Sequence, residues 1–424
     1  MKLVCGPDTF SLPASDAALR VILYGLPLAE GQASAGKSAR EDFLRRRLHA
    51  APRAWDLVSI ALSVVTADFA ALRRLSPDGW TREIELEIAV NEPEFWTSQV
   101  ATLTALLSFL TTDRWTIRFH AGGVVPAPPR APLYPPEDCA VLLSGGLDSL
   151  VGLIDLCARG EKPFAVSQTV RGDAEKQDQF AAAVNGGISH IQLNHVATVP
   201  GEAETSQRAR SLIFVALGVL TATALAKHHA GEPVTLYVCE NGFIALNPPL
   251  VSNRIGSLST RTAHPEVLGR MQQLIDAAGL HVRIENPYAT ATKGEMLVGC
   301  KDQGALRNLA VTSTSCGRFQ RYNYRHCGRC VPCHVRRAAF LRWGVPDTTS
   351  YVFTKLGKKD DDHARFDDVR SVAIALARIG SDGLDAWLGN TLYTPLVNNR
   401  GALSDMVGRS MDELRALHAA LGVK

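Results

Sequence analysis

Two stretches of this 424-residue chain combine residue types that can do chemistry. The first is Ser144-Gly145-Gly146-Leu147-Asp148-Ser149, set between the apolar run Ala140-Val141-Leu142-Leu143 and the helical run Leu150–Ala158. Two glycines let backbone N–H groups approach a polyphosphate, the following helix start adds partial positive charge, and the flanking serine hydroxyls donate to phosphate oxygens. Asp148 would be repelled by phosphate unless it serves a cation, which implies Mg2+. The bland alternative is a Gly-rich strand-to-helix turn with an ordinary cap. The second stretch is Cys316-x10-Cys327-Gly328-Arg329-Cys330-Val331-Pro332-Cys333, four thiols within eighteen residues. Such a set suits tetrahedral Zn2+. Its two-residue spacings also suit an iron–sulfur centre, but the remote Cys316 favours structural zinc over that centre and over four separate buried thiols. His326 and His334 border the cluster, as alternative ligands or as neighbours of it.

A third stretch, Gly31-Gln32-Ala33-Ser34-Ala35-Gly36-Lys37-Ser38, formally fits the Walker A pattern. The apolar run Val21-Ile22-Leu23-Tyr24 is separated from it by the six residues Gly25–Glu30, and no strand-end Asp for magnesium is evident. It is therefore read as a loop ahead of a helix over Arg40–His49, not as a phosphate site.

The elements that must position these groups divide at a Pro-rich stretch, Val125–Pro136, which cannot propagate a helix or an interior strand and reads as a semi-rigid spacer. Before it, the alternation Arg82-Glu83-Ile84-Glu85-Leu86-Glu87-Ile88-Ala89-Val90 predicts a strand with one solvated face. A helix over about Glu94–Leu110 and a strand at Trp115–His120 follow, giving a small α+β unit over residues 1–135 with no clear catalytic constellation. After it, strand-like runs at Ala140–Leu143, Pro163–Val166, Ile188–Leu193 and Thr235–Cys239 alternate with helical stretches, the pattern of a doubly wound parallel sheet over 136–346. Residues 347–424 read as a helical extension, with a capping-box helix start at Ser410-Met411-Asp412-Glu413 and a solvated loop at Lys358–Asp362.

Composition sets the outer bounds. At 46% apolar and 21% charged, with a mean hydropathy near zero, the chain is neither disordered nor collagen-like and is long enough for two or three domains. Its longest uncharged apolar run, Ser211–Ala226, is shorter than the roughly 18 to 20 residues a bilayer requires and reads as a buried helix. The N-terminus lacks a long apolar signal region, so a cytoplasmic protein with no membrane partner is expected. Nine cysteines in such a chain point to metal ligation, not disulfides. The net charge of +3 conceals a basic segment: Lys301–Val345 holds nine Lys/Arg and one Asp, hence +8 there and −5 elsewhere. That excess suggests an anionic ligand near the cysteine cluster.

The strand, Ser-Gly-Gly-x-Asp-Ser, helix arrangement resembles the PP-loop of the N-type ATP pyrophosphatases, and the downstream cysteine spacing resembles the QueC family of 7-cyano-7-deazaguanine synthases. Further segments match in order: Arg210-Ser211 at a helix start, Val238-Cys239-Glu240, Asn286-Pro287 with Lys293, and Cys333-His334-Val335-Arg336. The resemblance covers about Asp138–Asp347. It implies an adenine nucleotide alpha hydrolase-like fold, ATP with Mg2+ and Zn2+ as cofactors, and cleavage of ATP to AMP and pyrophosphate as a deazapurine acid is adenylated. Ser144, Gly145, Gly146, Leu147, Asp148 and Ser149 would bind ATP; Asp148, Ser149, Lys293 and Arg210 would be catalytic; Glu240, Arg210, Arg261 and Arg336 would contact substrate; Cys316, Cys327, Cys330 and Cys333 would hold the metal. In residue terms, Arg210 at a helix start can bind phosphate or carboxylate, Glu240 at a strand end can read a guanine-like edge, and Lys293 can neutralise an adenylate. Each is otherwise a surface ion pair, and Arg336 is otherwise an anchor for the zinc loop.

Two departures qualify the match. The family's Tyr-Pro-Asp-Cys-Arg stretch has no counterpart, the chain reading Asn253–Thr262 there. The chain also carries an N-terminal unit and a C-terminal tail that short synthases lack, resembling the longer QatC type of antiphage operons. That likeness implies a defence role and a protein partner from the same operon, met through the N-terminal unit. Two other readings stay open: a PP-loop enzyme acting on tRNA or transferring sulfur, and a partner-binding protein with a retained nucleotide fold.

Overall fold

The computed structural model describes residues 1–12, 18–250, 261–356 and 367–423, and their strands form two five-stranded sheets. The sequence segments Asn253–Thr260 and Lys358–Asp362 lie outside the described residues. In the first unit the elements run β1 (Lys2–Gly6), β2 (Ala18–Leu23), β3 (Ala33–Ala35), α1 (Lys37–Arg45), α2 (Pro52–Ala70), β4 (Glu83–Val90), α3 (Pro93–Ser98), α4 (Val100–Thr111) and β5 (Arg114–Ala121). Strand order is β3-β2-β1-β4-β5, and every pairing is parallel. This corrects the α+β expectation: the first unit is α/β. The clean alternation that suggested otherwise has a physical source. Ile84, Leu86 and Ile88 are buried in the core, whereas Glu83 and Glu85 face solvent, so the opposite face of β4 is open over its first half and covered only from Glu87 onward. One-sided burial is the usual mark of antiparallel sheets.

The Walker-like segment is excluded as a phosphate cradle, because β3 occupies its centre and pairs with β2.

The second sheet contains β6 (Cys139–Leu142), α5 (Leu147–Ala158), β7 (Pro163–Gln168), α6 (Ala174–Ala183), β8 (His190–Leu193), α7 (Arg210–Ala222), α8 (Ala226–His229), β9 (Val234–Tyr237), α9 (Gly242–Leu246), α10 (Pro265–Ala277) and β10 (Val282–Glu285). Its order, β10-β9-β6-β7-β8, is again all parallel. Both faces are buried here. Ala140, Leu142, Phe164 and Val166 join one apolar cluster, and the alternate residues Val141, Leu143 and Ala165 join another. The α/β doubly wound expectation holds, with β6 central and the PP-loop at its carboxyl end.

The two sheets share a core. Helix α2 of the first unit packs on α7 of the second, and α4 packs on α10, so residues such as Leu57, Ile60, Leu212 and Ile213 belong to one cluster. The Pro-rich stretch does not stand free, since Leu133 N donates to Arg47 O (2.9 Å).

After β10 come α11 (Lys293–Gly299), α12 (Gln303–Leu309), α13 (Val331–Trp343), α14 (Asp367–Asp382), α15 (Leu384–Leu388) and α16 (Arg400–Ala420). The helical C-terminal expectation holds, but the capping-box start at Ser410 does not. Ser410 lies mid-helix, its hydroxyl donating to Met406 O (2.9 Å), and Glu413 points to another helix. Among the described residues no helix is long and apolar enough to cross a membrane.

Candidate active site and metal centre

The PP-loop follows β6 without a break: Leu143 N still donates to Val166 O (2.8 Å), and Gly146 serves as the N-cap of α5. Gly145 adopts φ +82°, which favours glycine, and a Cβ there would press on the Asp173 Cβ at 3.2 Å. Hydroxyls fold inward on the loop itself: Ser144 Oγ lies 3.1 Å from Ser149 Oγ and accepts from Gly146 N (3.2 Å). Ser149 Oγ donates to Gly146 O (3.0 Å). Together these groups make a loop of polar atoms at the N-terminus of a twelve-residue helix, a site chemically suited to phosphate.

Asp148, in the first turn of α5, is buried, and three elements converge on it. Lys293 Nζ, on the first residue of α11, lies 2.7 Å from Asp148 Oδ1. Asn241, the N-cap of α9, donates to Asp148 Oδ2 through its side-chain amide (2.7 Å) and its backbone N–H (3.3 Å). Glu240 stands just beyond β9, and burial followed by the Asp148 charge pushes its carboxyl up to about 8, with Lys293 opposing. Asn286 fixes the Glu240 backbone, donating to Glu240 O (2.9 Å) and accepting from Glu240 N (3.3 Å). Thus three sequence candidates, Asp148, Glu240 and Lys293, gather at one place. Asn241 was missed, although an Asn-Gly pair following a strand is a recognisable cap signal.

The four cysteines also gather. Their Sγ atoms all lie within 4.8 Å of one another, and the Cys327–Cys333 and Cys316–Cys330 separations are both 3.9 Å. A tetrahedron with Zn–S bonds of ~2.3 Å has edges of about 3.8 Å, so the residues fit a zinc ion. Backbone N–H groups support the thiolates: Arg329 N and Cys330 N donate to Cys327 Sγ (3.4 and 3.2 Å), and Arg318 N and Cys327 N to Cys316 Sγ (3.4 and 3.3 Å). Neither bordering histidine joins the thiol set. His326, its pKa lowered to about 3 by burial and then by Arg336, accepts from Ser315 N (3.1 Å). The buried His334 bonds through Nδ1 to Cys330 O (3.1 Å).

One strand-like segment joins the metal centre to the PP-loop. Thr314, two residues before Cys316, bridges to Gly146 and donates its N–H to Gly145 O (2.9 Å). Its hydroxyl donates to Asp173 Oδ1 (2.6 Å) and accepts from Lys176 Nζ, while that ammonium lies 4.2 Å from the Phe319 ring centroid. Asp173, Lys176 and Thr314 were not singled out from sequence; their meeting depends on the loop after β7 and the run-up to Cys316 folding together.

The other sequence candidates lie elsewhere. Arg336 is fully buried and donates to Ser313 Oγ (2.8 Å), Ala310 O (2.9 Å) and Thr349 Oγ1 (3.0 Å), so the anchoring role replaces the substrate role. Arg261 donates to Phe109 O (2.8 Å) and lies over the Phe109 ring, a contact with α4. Arg210 is exposed at the first residue of α7 and does not contact Asp148. Much of the basic segment is likewise held inward: Arg329 and Arg336 are buried, Arg337 donates to Thr354 O (2.9 Å), and Arg342 pairs with Glu413 (2.7 Å).

Comparison with known proteins places the chain in a family. Residues 262–344 match the model of a family described as queuosine biosynthesis protein QueC. A 7-cyano-7-deazaguanine synthase from Cupriavidus taiwanensis is 30% identical over 236 residues, 50% of this chain and 96% of that protein. Proteins of the same name from Ralstonia nicotianae (29% over 236 residues, 50% and 97%) and Ectopseudomonas mendocina (27% over 240 residues, 51% and 98%) are similar.

Proposed function

This chain belongs to the QueC family, and from that premise we propose that it is an AMP-forming, ATP-dependent ligase that adenylates a 7-carboxy-7-deazaguanine-type acid or amide. The observation that carries the reading is the convergence of Lys293, Asn241 and Glu240 on Asp148 at the mouth of a PP-loop braced by the metal segment. Backbone N–H groups of 145–149 and the Ser144 and Ser149 hydroxyls would exchange their mutual bonds for phosphate oxygens. Mg2+ held by Asp148 and Glu240 would offset the charge of the departing pyrophosphate. We therefore assign Glu240 to the cation, not to the base edge, because its carboxyl lies against Asp148. Lys293 would then turn toward the adenylyl group as that cation takes over Asp148. Arg210 remains our candidate for the substrate carboxylate, at the carboxyl-end face of the sheet.

Cys316, Cys327, Cys330 and Cys333 would hold zinc as a closed structural site whose task is to fix Thr314 against the PP-loop. We divide the chain as 1–135, 136–346 and 347–424, with the middle part catalytic. We further propose a QatC-type protein of a cytoplasmic antiphage system, passing its activated deazapurine to a protein partner; the match covers half the chain, so the chain is longer than those synthases. A tRNA acceptor has less support, since several arginines of the basic segment are spent within the fold.

Mass spectrometry after incubation with ATP, Mg2+ and 7-carboxy-7-deazaguanine, with and without ammonium, tests this reading. Nitrile with AMP and pyrophosphate is expected if ammonia is the acceptor; AMP and pyrophosphate without nitrile points to the partner. Asp148→Ala should abolish pyrophosphate release and keep its zinc. Normal turnover by that variant would sink the assignment.

A further inference from the structure

Helix α16 reaches the surroundings of Asp148 without touching it. Lys293 opens a seven-residue helix, too short to hold its own first turn firmly by internal hydrogen bonds. A capping box supplies part of the support, Thr292 Oγ1 accepting from Glu295 N (3.0 Å) and Glu295 accepting from Thr292 N (2.9 Å). The rest comes from the C-terminal extension. Glu413 accepts from the Thr292 hydroxyl and from Gly294 N (3.3 Å), the two residues flanking Lys293. A Cβ at Gly294 would lie 2.6 Å from Glu413 Oε1, so this approach needs the glycine. One turn earlier on α16, Arg409 donates to Glu295 (2.7 Å) and to Thr290 O (2.9 Å). Arg342 on α13 closes the network by pairing with Glu413 (2.7 Å) and Glu295 (3.3 Å). The same α16 contributes Met406 and Val407 to the apolar cluster that includes Phe243 and Leu246 of α9, the helix capped by Asn241. Both partners of Asp148 therefore stand on elements packed against one C-terminal helix.

We propose that Glu413 is a positioning residue for nucleotide activation, holding the first turn of α11 so that Lys293 meets Asp148. The proposal rests on the PP-loop reading above for its catalytic consequence, though not for the placement of Lys293. A carboxylate bonded on both sides of a catalytic lysine, inside a neutral network of two acids and two arginines, fixes the ammonium more tightly than burial alone would.

The test uses the full zinc-loaded chain carrying Glu413→Gln, with Arg415→Ala, on the exposed side of α16, as the control. Two readouts are taken: pyrophosphate release with ATP, Mg2+, 7-carboxy-7-deazaguanine and ammonium, and acylation of the Lys293 amine by an amine-reactive reagent, read by peptide mass spectrometry. Lys293 is 5% exposed, so wild-type labelling should be slow. In Glu413→Gln, labelling should rise several-fold and kcat fall by ~10-fold or more, with zinc content unchanged and the control at wild-type level. Arg409→Gln, should Glu413→Gln fail to fold, is expected to shift both readouts the same way. Unchanged labelling overturns the proposal whatever kcat does, as does raised labelling with full activity. Raised labelling in a protein whose wild type releases no pyrophosphate leaves the positioning intact and removes the ligase reading.

Discussion

Glu240 and Asp148 present two acids to one ammonium, and the protonation of Glu240 follows from that arithmetic. Its folded pKa, pushed up to about 8 by burial and the neighbouring charge, exceeds its ordinary value of 4.5. The native state thus holds a proton that the unfolded chain releases, and the associated stability is present below about 4.5 and lost as pH rises through about 8. Without Mg2+, the melting temperature of wild type should fall between pH 5 and 8 relative to that of Glu240→Gln, and scanning calorimetry of the pair checks the difference. Parallel curves would place the Glu240 carboxyl outside the Asp148 cluster. Arg336 gives the complementary case. Removing a buried guanidinium takes its donors from the Ser313 and Thr349 hydroxyls and leaves a cavity, Ala310 O keeping the Ser313 N–H, so Arg336→Ala should cost about 2–4 kcal/mol in denaturant unfolding. At this scale the sequence revealed what is local. A Gly-Gly-x-Asp turn and a run of thiols announce themselves by spacing, whereas the spending of Arg336 on 310–349 and of Arg261 on Phe109 depends on contacts tens to hundreds of residues away.

Among elements, the segment 313–316 has the most to transmit. It is anchored by Arg336 at Ser313, laid on the PP-loop at Thr314 and tied to the metal centre at Cys316. A loop so held loses only its third tether when the cluster is broken, and the PP-loop should loosen without global unfolding. Cys330→Ser is therefore expected to lose zinc, by elemental analysis, and to weaken Mg-ATP binding by ~10-fold in titration calorimetry, a loss of about 1.4 kcal/mol. Undiminished ATP affinity in the zinc-free variant would separate the metal from the nucleotide site. Element types were legible where periodicity was strong, as in β4 and the strands of the second sheet. The arrangement of elements was misread where one pattern serves two architectures: β4 and β5 alternate because one face is open at Glu83 and Glu85, and Ser410-Met411-Asp412-Glu413 imitates a helix start although its carboxylate caps a different helix, α11.

At the scale of the molecule, the first unit is joined to the second by more than apolar contact. Asp68, on α2 and 1% exposed, accepts from Arg208 N (2.6 Å) and Ala209 N (2.8 Å) just ahead of α7, while pairing with Arg82 (2.6 Å). A carboxylate from one sheet's helix thus caps a helix of the other, the one that opens with Arg210. Neither sheet can unfold without exposing the α2–α7 surface and stranding these charges, so the two should melt as one. Four of the six tryptophans, Trp55, Trp80, Trp96 and Trp115, lie in the first unit, whereas the thiol cluster lies in the second, so fluorescence is weighted toward the first and zinc release reports on the second. Guanidinium titration followed by tryptophan fluorescence and by zinc release to a chromophoric chelator should give coincident midpoints. Asp68→Ala, which leaves buried N–H groups and Arg82 without this partner, should lower both midpoints together, by about 3–5 kcal/mol. Midpoints that part company, with only the fluorescence transition moved by the substitution, would show instead that the first unit unfolds independently and that its hold on α7 is dispensable to the second.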